Sequence, residues 1–103
     1  MNSNYNKGRK FEYRVKRKLE GMGYFVIRQP KSAFPDLIAI KRNEVLAVEC
    51  KYNNRLSSYE LFKLLELKRA YGMTPVLAHK NKREREIKLR RLSENMEKDH
   101  SLS

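Results

Sequence analysis

Residues 35–51 read PDLIAIKRNEVLAVECK, and this stretch decides the fold of the chain. Two apolar runs in it have the composition of strands, and residues 41–43 form a polar turn between them. The strands therefore form a hairpin, which brings Asp36 beside Glu49. Because side chains alternate along a strand, Glu49 and Lys51 point to the same face. The pattern predicts two carboxylates and one ammonium at one end of a hairpin.

This combination is suited to phosphodiester chemistry. Two acidic oxygen ligands bind a hard divalent cation, and an ammonium beside them favours a bound phosphate. The chain has 24 Lys and Arg against 12 Asp and Glu, a net charge of +12, which favours a polyanionic partner. Each residue alone would fit an exposed strand or turn. Their joint occurrence on a strongly basic chain predicts a nuclease.

Length and composition exclude several other classes. A chain of 103 residues suffices for one small domain, so we expect a single nuclease domain over residues 1–103. Cys50 is the only cysteine, so neither an intrachain disulfide nor a cysteine zinc cluster can form within the chain. No apolar run approaches the roughly 20 residues of a spanning helix. We expect a soluble, cytoplasmic protein that does not bind a membrane.

The hydrophobic periodicity outlines the remaining elements. Phe11, Val15, Leu19 and Met22 recur at helical spacing, which predicts an amphipathic helix from about Lys7. The other predicted elements, in chain order, are a strand over 24–28, the hairpin strands over 37–40 and 44–48, a helix over 58–71 with a capping box at Ser57 and Glu60, and a strand over 74–79.

The segment from residue 81 is dominated by charge. Its opposite charges are spaced four apart, as at Glu84 and Lys88, which favours a helix. We therefore predict a core over about 7–80 and a charged helical tail over 81–103.

The motifs together resemble a known family. Residues 7–12 read KGRKFE and residues 23–28 read GYFVIR, ahead of Ser32, the Pro35-Asp36 pair and Glu49-Cys50-Lys51. Over roughly residues 7–80 the chain is similar to the PD-(D/E)XK nuclease superfamily, and within it to the archaeal-type Holliday junction resolvases. The resemblance implies an α/β, restriction-endonuclease-like fold with a central mixed β-sheet of about four to five strands flanked by helices.

The resemblance also implies an activity and a site. Members of the family are homodimers that bind four-way DNA junctions and introduce paired nicks with magnesium, for which we expect manganese to substitute. Residue by residue it implies metal ligands at Asp36 and Glu49, a catalytic Lys51, supporting roles for Glu12 and Ser32, and a phosphate contact at Arg9.

Several roles within this site stay open. The backbone carbonyl of Cys50 is the expected third metal ligand. Lys51 can act as a base, orient water or neutralise developing charge. Glu12 lies at the border of its helix's buried stripe, where it either reaches the metal site or pairs with Lys16. Ser32 is otherwise a simple turn residue.

The predicted DNA-binding surface is the basic flank of the first helix together with nearby loops. Contacts of this kind read DNA shape and phosphates, so we expect low sequence specificity. Its residues are Arg9, Lys10, Arg14, Arg17, Lys18, Arg28, Lys31 and Arg55.

Two alternatives compete with junction resolution. A nuclease with the same site could act on flaps, nicks or single strands in DNA repair. A basic DNA-binding protein without catalysis is disfavoured, because carboxylates on the face that meets phosphates would repel DNA.

Overall fold

The computed structural model describes residues 3–94 of the chain. Its elements are α1 (Ser3–Gly21), β1 (Phe25–Arg28), β2 (Leu37–Lys41), β3 (Glu44–Lys51), α2 (Ser58–Tyr71), β4 (Thr74–His79) and β5 (Lys88–Arg91). Neither of these helices has the length and apolar character needed to cross a bilayer.

The strands form one mixed sheet in the order β1-β2-β3-β4-β5. Neighbouring strands are antiparallel except β3 and β4, which run parallel. A parallel pair needs a crossover connection, and α2 provides it. The predicted hairpin is present, with Leu37 opposite Val48. The expected α/β architecture, a five-stranded mixed sheet with flanking helices, is confirmed.

One face of the sheet packs against α1. Phe11, Val15 and Leu19 of the helix are buried with Leu37 and Val48 of the sheet, as their helical and alternating spacings predicted. The helix begins at Ser3, about one turn before the predicted start at Lys7. The residues of that first turn carry no apolar periodicity, so the pattern could not mark the true beginning.

The other face is covered in part by α2. Leu61, Leu64 and Leu65 pack there with Leu77 of β4. The predicted capping box is formed at the helix start. Gly72 ends the helix with φ of 71°, a left-handed conformation that favours glycine.

The prediction of a helical tail is wrong for its described part, because Lys88–Arg91 form β5. This strand pairs antiparallel with β4 and satisfies backbone groups that would otherwise be unpaired at a sheet edge. Ile87 packs in the α1 cluster and Leu92 in the α2 cluster, so the core does not end at residue 80. The predicted Glu84–Lys88 pair forms at 3.6 Å, but it joins a loop to a strand. The remainder of the tail, 95–103, lies outside the described residues.

Candidate active site

Two reciprocal hydrogen bonds from backbone N–H groups hold the Asp36 and Glu49 carboxylates together, and we call these two residues the clasped pair. The backbone N–H of Asp36 donates to Oε1 of Glu49 at 3.1 Å. The backbone N–H of Cys50 donates to Oδ2 of Asp36 at 2.9 Å. Each carboxylate is thus held by the backbone of the opposite strand, and the predicted convergence of the two acids is confirmed.

Burial raises the free energy of the ionised form of both carboxylates. The Glu49 side chain is only 7% exposed. Burial, followed by the negative charge of Asp36, raises the pKa of Glu49 to about 7. Burial likewise raises the pKa of Asp36, although the Cys50 N–H and the Lys51 ammonium oppose this. Two neighbouring buried carboxylates are stabilised by a cation placed between them.

Lys51 is held beside the pair. Its Nζ lies 4.0 Å from Oε2 of Glu49 and 2.6 Å from Oε2 of Glu60 on α2. Burial lowers the pKa of Lys51, but the hydrogen bond and charge of Glu60, with the other carboxylates, outweigh it and raise that pKa overall. The hydrogen bond to Glu60 stabilises the charged form of Lys51, so the geometry favours the two roles that use an ammonium.

Sequence reasoning missed Glu60 as a neighbour of the site. The signal was present in its capping-box spacing with Ser57, which places it at the start of α2. That spacing predicts only the capping contact of one carboxylate oxygen. It gives no signal that the second oxygen contacts Lys51.

Glu12 faces the same region from α1. Its Oε1 accepts a hydrogen bond from Nε of Arg28 at 3.2 Å, while Lys16 pairs with Glu20. The Glu12–Lys16 alternative is therefore wrong. Burial raises the pKa of Glu12, and the negative charge of Asp36 raises it further. The two carboxylates therefore repel each other electrostatically.

A cleft of about 230 Å³ adjoins Asp36 and brings several predicted residues together. Ser32 has a φ of 76°, so the backbone turns sharply there. The side chains of Arg28 and Arg9 lie over the Tyr13 ring, at 4.8 and 5.9 Å from its centroid. The lining residues are Gly8, Arg9, Glu12, Arg28, Gln29, Pro30, Lys31, Ser32 and Asp36.

The remaining predicted DNA-binding residues lie around other clefts. Lys10 and Arg14 line one cleft with Tyr52, and Arg55 lines a second cleft that Tyr52 also borders. Arg14 donates to the backbone carbonyl of Arg85 at 2.7 Å. Arg17 lines a further cleft with Ile87 and is not among the residues that line the Asp36 cleft. The predicted basic surface therefore divides into a group at the site, a group along the flank of α1, and Arg55 in the loop after β3.

The donor set fits a hard divalent cation. Within residues 3–94, no three His, Cys, Asp or Glu side chains are grouped as a metal site. Asp36 and Glu49 supply two carboxylates, and the carbonyl of Cys50 is a candidate third oxygen. Magnesium is typically bound by one or two carboxylates and keeps several waters, so a pair of acids is sufficient.

Comparison with known proteins agrees with the motifs and the fold. Residues 3–102 match the family model described as archaeal Holliday junction resolvase (Hjc). The chain is 39% identical over 84 residues to a Methanocaldococcus jannaschii protein named crossover junction endodeoxyribonuclease Hjc, a match that covers 78% of this chain and 63% of that protein. It therefore spans less than two thirds of the length of this relative.

A solved structure gives the same result. The structure of Archaeoglobus fulgidus Hjc, titled a Holliday junction resolvase from an archaeal hyperthermophile, superposes with a TM-score of 0.70 at 27% identity. The match covers 82% of this chain and 72% of that one, so the restriction-endonuclease-like fold is confirmed. Since the family model extends over nearly the whole chain, the chain belongs to the archaeal Holliday junction resolvase (Hjc) family.

Proposed function

We propose that this chain is a structure-specific endonuclease that resolves four-way DNA junctions by metal-dependent phosphodiester hydrolysis. The observation that carries the proposal is the clasped pair of Asp36 and Glu49, with the Lys51 ammonium 4.0 Å from the Glu49 carboxylate. Membership of the Hjc family supports four-way junctions as the substrate.

Magnesium, or manganese in its place, would be held by Asp36, Glu49 and the Cys50 carbonyl, and would supply a charge sink and a hydrolytic water. The protein's own contribution is to fix the two carboxylates. Their attachment to opposite strands through backbone N–H groups leaves little freedom for reorganisation. Glu12 is a candidate further ligand from α1.

Lys51 acts in this proposal as an ammonium. The Glu60 carboxylate, 2.6 Å from Nζ, stabilises its charged form, and the ammonium neutralises charge on the phosphate oxygens and orients the attacking water. A proton acceptor for that water must then come from elsewhere, such as a second water or the substrate phosphate.

In our proposal the cleft beside Asp36 binds the phosphate backbone of the DNA. Arg9, Arg28 and Lys31 bring positive charge to it, and Ser32 brings a hydroxyl donor. Glu12 pairs with Arg28, so its negative charge partly offsets that guanidinium. In our proposal Arg9 contacts a phosphate, and Lys10, Arg14, Arg17 and Arg55 guide the arms of the junction.

Paired nicks require two active sites, and we propose that a homodimer supplies them. A bare apolar patch on the sheet supports this. Phe25 and Ile27 of β1 are 68% and 41% exposed. Their partners on β2, Ile40 and Ile38, lie on the same face, and so does Val45, the β3 partner of Ile40. An exposed contiguous apolar face of this kind is typical of an interface, and a second copy offers an equally apolar surface.

The test is incubation of the protein with labelled four-way junction, linear duplex, flap and single-stranded DNA, with magnesium, manganese or chelator. We expect symmetric nicks in the junction, in the presence of a divalent cation only. Comparable cutting of flaps or single strands would move the function to DNA repair while keeping the same site. Binding without any cutting would contradict catalysis and leave a basic DNA-binding protein.

A further inference from the structure

We propose that Glu60 is a positioning residue, whose carboxylate holds the Lys51 ammonium against the Asp36–Glu49 pair. The inference deepens the proposed function and depends on Lys51 acting in cleavage. It assigns to the start of α2 a part in the site beyond closing the helix.

The contact between the two side chains is close and directed. Nζ of Lys51 donates to Oε2 of Glu60 at 2.6 Å, whereas Glu49 lies 4.0 Å from the same nitrogen. A lysine side chain has four rotatable bonds and loses considerable rotamer entropy when it is held. In this conformer, Glu49 is too far from Nζ for a hydrogen bond. Glu60 therefore supplies the contact that selects one Lys51 conformer.

Glu60 is itself held at both ends. Its Oε1 accepts the Ser57 backbone N–H at 2.9 Å, and its own backbone N–H donates to the Ser57 hydroxyl at 3.0 Å. One carboxylate oxygen thus caps α2 while the other faces Lys51. The helix behind it is anchored by buried Leu61 and Leu64. Glu60 therefore fixes the Lys51 ammonium to a rigid part of the fold, the start of α2.

This division of the carboxylate separates the new role from helix capping. A glutamine at this position of a capping box can still accept the Ser57 N–H through its single carbonyl oxygen. Its amide group would then face Lys51 and offers only N–H donors to an ammonium. Conversely, Ser57→Ala removes a capping hydroxyl but leaves Oε2 of Glu60 available to Lys51. The two variants act on opposite halves of the arrangement.

The first experiment compares single-turnover cleavage of a labelled four-way junction by wild type, Glu60→Gln and Ser57→Ala, at saturating protein with magnesium. We expect Glu60→Gln to cleave about 10- to 100-fold more slowly, as loss of a group that orients an active-site residue typically does, with junction affinity in chelator unchanged. Ser57→Ala should lower the Tm and cleave within about 3-fold of wild type. Glu66→Gln, which removes a surface acid paired with Arg69 on the same helix, is the matched control and should cleave normally.

A second measurement does not depend on catalysis. ¹⁵N relaxation of the Lys51 ammonium reports how tightly its side chain is held, and its order parameter should fall in Glu60→Gln but not in Ser57→Ala. An unchanged order parameter, or wild-type cleavage by Glu60→Gln, would overturn the proposal.

Lys51→Met separates failure of this inference from failure of the proposed function. If Lys51→Met cleaves at the wild-type rate, the assigned role of Lys51 fails and the positioning role falls with it. If Lys51→Met is inactive and Glu60→Gln is normal, only the positioning role is wrong.

Discussion

The two faces of the sheet differ in how completely they are covered. On the α1 face, Val15, Leu19 and Leu37 have no measurable exposure. On the α2 face, Leu77 is equally buried, but Phe25 at the β1 edge is 68% exposed. The charged cluster of Glu49, Lys51 and Glu60 also lies on this second face. The difference indicates that α1 closes one face of the sheet, while the face beside α2 stays partly open and carries Glu49, Lys51 and the proposed interface.

The largest effect on stability is expected from a substitution in the closed face, where α1 packs on the sheet. Leu19→Ala creates a cavity between α1 and the sheet and should lower the free energy of unfolding by about 2–5 kcal/mol. Urea denaturation followed by circular dichroism measures this. Arg17→Ala, an exposed residue on the same helix, is the matched control and should change stability by less than about 0.5 kcal/mol. Similar losses in the two variants would contradict the packing described.

The open face is tested through assembly. Phe25→Asp places a charge in the bare patch and should weaken self-association more than about 10-fold, because burial of a phenylalanine contributes about 1.5–3 kcal/mol. Sedimentation over a range of protein concentrations measures this.

Asn53→Asp adds the same charge in the turn after β3, at the opposite end of the sheet, and is the control. We expect it to sediment as wild type does. A dimer unaffected by Phe25→Asp would place the interface elsewhere, and a monomeric wild type would contradict the homodimer.

The buried acids of the open face predict a pH dependence of stability. Because the pKa of Glu49 is raised to about 7 in the folded chain, the native state binds more protons than the unfolded state between the ordinary glutamate value and that pH. In chelator, the free energy of unfolding should therefore fall as pH rises through this window, by on the order of 1–3 kcal/mol.

Urea titrations at pH 5, 6, 7 and 8 measure the slope. Glu49→Gln cannot ionise and should flatten it, whereas Glu66→Gln, in an exposed position, should leave it unchanged. An equally steep slope in Glu49→Gln would mean that other groups cause the dependence.

The parts of the molecule that sequence could predict are those with local signals. The hairpin carries a turn between two alternating strands, so the meeting of Asp36 and Glu49 followed from spacing alone. β5 reads KLRR, and its charges conceal the alternation of Ile87 and Leu89. Its pairing with β4 is a tertiary contact that no local pattern encodes. The Lys51–Glu60 contact was missed for a related reason, because it depends on where α2 begins relative to β3.

The most direct test of the Asp36–Glu49 site is cleavage of a four-way junction by Asp36→Asn beside the wild type, at saturating protein with magnesium. The substitution preserves size and one acceptor oxygen for the Cys50 N–H but removes a negative charge from the clasped pair. We expect cleavage to fall on the order of 10²–10³-fold or more while junction binding is unchanged or tighter. Cleavage by Asp36→Asn at the wild-type rate would contradict the central claim that this pair forms the catalytic site.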